Sequence, residues 1–131
     1  MARTNIATHH FTNFERLIFA ITDDDVATID RLGIPLEDLA SFEFESNANI
    51  LNFAIEQERI NIVQHLAVLT KNRPDMRKKL LEHRFRSDEI SAVHQVMTMG
   101  NRQLIDAILN DFDADVNLRT QKKLTVMHCA A

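Results

Sequence analysis

The stretch SAVHQVMTMG, residues 91–100, returns in part near the end of the chain as TVMHCAA, residues 125–131. Ser91 aligns with Thr125, Ala92 with Val126, Val93 with Met127 and His94 with His128, an offset of 34 residues. A hydroxyl residue ahead of an apolar run marks a helix N-cap, so each copy reads as the opening of a helix. Self-similarity at such a period points to stacked units, none of which buries its apolar face alone.

Apolar spacing elsewhere agrees with helices. Phe14, Leu17, Ile18 and Ile21 form one stripe of a 3.6-residue period, with Thr12 and Glu15 at capping-box spacing before it. Leu51, Ala54 and Ile55 repeat the pattern, as do Ile62, Val63, Leu66 and Leu69, then Val93, Val96 and Met97, and Leu104, Ile105, Ile108 and Leu109. Two glycines and two prolines in 131 residues disfavour an all-β sandwich or barrel. The stripes are short, so the helices must pack in pairs. An all-α chain follows.

Gly100 falls where a turn would join two helices, and the segment DADVN (113–117) follows the second. Together with Ser91, Val93 and His94, and with Thr125, Met127 and His128, these residues resemble the ankyrin repeat. Its period is about 33 residues and its first helix opens with T-P-L-H-x-A. Two earlier units are more remote. In 49–69, Leu51 and Asn52 take the Leu and His positions; 14–33 ends at Gly33, a helix-ending glycine. Proline is missing from every unit. The resemblance implies a short α-solenoid of paired antiparallel helices, preceded by a polar arm over 1–11. Its units are about 12–34, 47–70 and 88–117, with a partial unit at 124–131 and an insertion, 71–87, carrying a basic helix around 74–84.

Candidate chemistry is sparse. Asp111, Asp113 and Asp115 alternate like calcium-loop ligands, but Val116 and Lys122 stand where that loop needs glycine and glutamate. Asp23, Asp24 and Asp25 suit a helix start. His94 and His128, on adjacent units, would be about 10 Å apart, too far to share a zinc ion. The resemblance gives this histidine a structural role. His9 and His10 belong to the polar arm. Cys129 and its neighbour His128 diverge on a helix, so no nucleophile–base pair is expected. No catalytic residue, metal ligand or cofactor site is expected anywhere.

Cys129 is the sole cysteine, which excludes an internal disulfide and fits a reducing compartment. No apolar run reaches the length of a membrane span, and MARTNIATHH lacks the apolar block of a signal peptide. An intracellular protein, cytoplasmic or nuclear, is expected.

Charge is uneven. Residues 15–58 hold eleven acidic and two basic side chains, whereas 71–86 hold seven basic and two acidic ones. A formal net charge of −4 argues against a nucleic-acid partner. Arg77, Lys78, Arg84 and Arg86 of the basic insertion are candidate partner contacts. By resemblance to the ankyrin finger, so are Leu118, Arg119, Gln121, Lys122 and Lys123. The function these readings imply is a non-catalytic protein–protein interaction module, a scaffold or recruitment domain forming the N-terminal part of a longer protein. The alternatives are a structural subunit held permanently in a large assembly, and a regulatory ankyrin domain of a larger enzyme or membrane protein.

Overall fold

Three helices begin in the same way, and each is followed by a tight turn and a second helix. The computed structural model describes residues 12–113. Its helices are α1 (Asn13–Thr22), α2 (Val26–Leu32), the four-residue α3 (Leu36–Leu39), α4 (Ile50–Glu56), α5 (Ile60–Leu69), α6 (Pro74–Glu82), α7 (Ala92–Met99) and α8 (Arg102–Asp106). A 3₁₀ turn spans Glu45–Asn47, and α8 runs on into a π turn, Ala107–Asp111. The fold is all-helical, with a single isolated β-bridge, Phe85–Ile90, among the described residues.

Reciprocal caps start α1, α4 and α7. Thr12 Oγ1 accepts the Glu15 amide (3.1 Å) while the Thr12 amide donates to Glu15 Oε1 (2.9 Å). Asn49 and Asn52 exchange the same pair at 2.8 and 3.0 Å. Before α7, the Ser91 amide donates to His94 Nδ1 (3.4 Å) and Ser91 Oγ lies 2.7 Å from the same nitrogen. Each pair satisfies amides that a helix start leaves without partners. Every first helix then ends at a residue in the left-handed region: Asp24 (φ 55°), Glu58 (φ 57°) and Gly100 (φ 72°). That conformation reverses the chain within two or three connecting residues, giving the hairpins α1–α2, α4–α5 and α7–α8.

Turn residues also tie one hairpin to the next. Asp24 Oδ1 accepts the Ile62 amide (3.2 Å) and Oδ2 accepts Asn61 Nδ2 (2.9 Å), capping α5, whose own N-cap Arg59 supplies no side-chain acceptor. Glu58 Oε1 accepts Asn101 Nδ2 (2.8 Å), and Asn101 Oδ1 accepts the Leu104 amide at the start of α8 (3.2 Å). First helices pack on first helices (α4 on α7), and second helices on second helices (α2 on α5, α5 on α8 and its π turn). The shared core includes Leu17, Ile21, Ile50, Leu51, Ile55, Ile62, Leu66, Leu104 and Ile108, all at most 1% exposed. Burial on this scale contributes about 1.5–3 kcal/mol per large side chain. The π turn carries the chain round so that Phe112 is also buried.

The expected basic helix is α6, with Pro74 at its first position. It packs on α4 and α7, burying Leu80 and Leu81, and Asn49 Nδ2 donates to its Leu80 carbonyl (3.0 Å). Beyond it, Phe85 and Ile90 exchange backbone hydrogen bonds at 3.0 and 3.2 Å, and the Arg86 amide donates to Ser46 O (2.9 Å). The two inter-hairpin segments are thereby joined over a small cluster of Ala48, Phe85 and Ile90, with Phe44 against it. The arm 1–11 and the partial unit 124–131, with Thr125, Met127, His128 and Cys129, lie outside the described residues.

Candidate functional site

The basic residues of 71–86 turn out to be largely engaged within the fold. Arg77, a candidate partner contact, is half-buried. Its Nη2 donates to Ala67 O (2.6 Å), its Nε to Thr70 Oγ1 (3.2 Å), and its Cζ lies 5.4 Å from the Phe112 ring centroid. It thus holds the Ala67 carbonyl and the Thr70 hydroxyl at the end of α5 and covers Phe112. Arg73 forks to Asp75 (3.1 Å) and reaches Glu37 (3.0 Å), holding α3 against α6. Hydrogen bonding from Arg73 holds the Asp75 carboxyl below its ordinary range. Glu37 is lowered first by its own backbone amide and then by Arg73. Lys79 Nζ donates to Ser41 Oγ (3.2 Å). Arg84 is half-buried; Arg86 is exposed, 3.6 Å from Asp88 and set over the Phe85 ring. Of the four arginine and lysine contacts expected here, Lys78 is exposed and makes no ion pair among the described residues.

Ser91, Val93 and His94 are buried at the start of α7, and Gly100 forms its turn. These repeat-motif residues build the scaffold. The expected finger residues Leu118, Arg119, Gln121, Lys122 and Lys123 lie outside the described residues.

One concave feature of the described residues is a groove that sequence reading missed. It runs between the first helices and the inter-hairpin segments. At one end Phe14 and Ile18 from α1, Phe44 and Phe53 line a hollow of about 370 Å³ with Glu43 and Glu45 at its rim. The rings pack as a layer: Phe44 stacks on Phe53 (4.6 Å between centroids, 9° between planes), and Phe14 lies 5.2 Å from both Phe44 and Phe42. At the other end Asn52, Phe53, Glu56, Gln57, Ser46 and Arg86 surround a second hollow of about 280 Å³. The two share Glu45 and Phe53, so they adjoin. The signal in the sequence was SFEFES (41–46), where phenylalanine and glutamate alternate so that Phe42 and Phe44 share one side of an extended segment.

Among the described residues no three His, Cys, Asp or Glu side chains come together as metal ligands, and no helix is long and apolar enough to cross a membrane. A larger hollow of about 430 Å³ between α5, α6 and the π turn is lined up to Asp111, almost at the limit of the described residues. Comparison of the chain with protein-family models, with curated proteins and with solved structures returns no match.

Proposed function

We propose that this chain is a non-catalytic protein–protein interaction module of ankyrin-repeat type, whose contact surface is the groove between the first helices and the inter-hairpin segments. The carrying observation is the recurrence, in three successive hairpins, of a capped first helix, a left-handed turn residue and a second helix stacked on its predecessor. Repetition of that kind produces a one-dimensional stack whose shared first-helix face forms an extended binding surface. The Ser91–His94 and Asn49–Asn52 pairs support the alignment of His94 and Asn52 with the histidine of the ankyrin motif. The π turn supplies room for one additional residue, the excess of the 34-residue offset over the family period. The groove itself combines a rigid aromatic layer with polar rims, the composition of a recognition site.

Selection of peptides from a displayed library against the chain tests this. Selected peptides are expected to lose at least about tenfold in affinity to a Phe53→Asp variant, since an aspartate would stand in the desolvated floor. Val68→Asp, on the exposed side of α5, leaves affinity unchanged. Equal effects of the two substitutions, or none from Phe53→Asp, would overturn the assignment.

A further inference from the structure

The groove is asymmetric in charge. Glu43, Glu45 and Glu56 are exposed on its rim and form no ion pair among the described residues. Glu56 has a single long hydrogen bond, from Gln95 Nε2 at 3.4 Å. Among the described residues the lining has one cation, Arg86, which already sits 3.6 Å from Asp88 and over the Phe85 ring, 5.1 Å from its centroid. Next to the carboxylates lies the apolar layer of Phe14, Phe44 and Phe53. Asn52, in the wall of the second hollow, is fully buried, and its Nδ2 has no acceptor among the described residues.

We infer that the groove takes a basic polypeptide segment of a partner protein, in which an apolar side chain enters the aromatic hollow and an arginine or lysine a few residues away lies between Glu45 and Glu56. This rests on the docking reading above and adds the chemistry of the occupant. Charge complementarity carries it. Glu43 and Glu45 line the first hollow and Glu45 and Glu56 the second, so carboxylates outnumber Arg86 along the groove and a cation entering it is attracted. An acidic segment would meet the same field as repulsion, which is how a docking surface rejects a wrong partner. The two hollows share Glu45 and Phe53, so anchor and cation must be near neighbours in the partner's sequence. A guanidinium also finds the Phe53 ring within the same depression, where stacking adds to the ion pair.

The test uses three fluorescein-labelled synthetic peptides with identical leucine and phenylalanine anchors, flanked by arginine, by glutamine or by glutamate. Affinity is read by anisotropy. The arginine peptide is expected to bind the full chain, and to weaken about tenfold on Glu43→Gln/Glu45→Gln/Glu56→Gln and again as salt rises from about 0.05 to 0.5 M. A control variant, Asp38→Asn/Glu82→Gln/Asp106→Asn, removes as much charge from exposed positions outside the groove and leaves the affinity unchanged. Glutamate or glutamine peptides binding as well as the arginine peptide, or equal losses in the two triple variants, would overturn the basic-segment assignment. If Phe53→Asp still abolishes binding in that case, the groove remains a docking site with a different occupant. If Phe53→Asp changes nothing, or no peptide binds, both assignments fall.

Discussion

Replacing Arg77 by alanine separates two accounts of the basic insertion. If α6 merely presents a solvated Lys/Arg face, Arg77→Ala and Lys78→Ala are equivalent surface changes, each within about 0.5 kcal/mol of the parent. The structure instead makes Arg77 a clamp. It loses a short charge-assisted hydrogen bond to Ala67 O (2.6 Å), for which about 1.5 kcal/mol is the low end appropriate to a half-buried group. The longer bond to Thr70 Oγ1 (3.2 Å) adds about 0.5 kcal/mol, and the guanidinium 5.4 Å from the Phe112 centroid about 0.5 more. The expected destabilisation is therefore about 2–3 kcal/mol, which for a domain of this size lowers Tm by about 10 °C. Thermal and urea unfolding followed by far-ultraviolet circular dichroism measure it. Arg77→Lys keeps the charge but not the fork, and should fall between the parent and alanine. Equal melting temperatures for Arg77→Ala and Lys78→Ala would refute the clamp and return Arg77 to the surface.

Three further outcomes follow from the caps and turns. Gly100→Ala costs about 1 kcal/mol through the left-handed backbone alone, because no atom lies within 4 Å of the added Cβ; Gly100→Asn should recover part of it, and a neutral alanine variant would contradict the turn geometry. Asn49→Ala removes the α4 cap and leaves the Leu80 carbonyl without its donor, so a loss of about 2 kcal/mol is expected in urea unfolding. Asp25, the α2 N-cap, is held below its ordinary value of 3.8 by the Thr28 hydroxyl first and the Thr28 amide second. A depressed carboxyl stabilises the fold above its unfolded pKa, and that contribution is lost as pH falls through the folded value. Thr28→Val should therefore move acid unfolding to higher pH; superimposed pH titrations of ellipticity for parent and variant would count against this.

Local rules were legible in the sequence because their partners lie within three or four residues. Thr12 with Glu15, the helix-ending Gly33 and Gly100, and Pro74 at a first helical position all stand where their chemistry demands. Apolar periodicity likewise marked Leu17, Ile62, Leu66, Leu104 and Ile108 as core. What the sequence hid was long-range. Nothing near Arg77 in the chain announces Ala67 O or the Phe112 ring, and nothing near Arg73 announces Glu37. The aromatic layer joins Phe14, Phe42, Phe44 and Phe53 from three separate segments, so no single window displays it. Charge counting overstated the basic insertion for the same reason, since a run of lysine and arginine looks free until its acceptors are placed. The groove became visible once the hairpins were set side by side.

Recognition in that groove would show in the amide chemical shifts of its lining residues. Isotope-labelled chain is titrated with a peptide that has been shown to bind it. The account predicts perturbations clustered on Phe14, Phe44, Glu45, Asn52, Phe53, Glu56 and Gln57. A cluster centred on Lys78 and the exposed face of α6, with the groove amides unmoved, would contradict it.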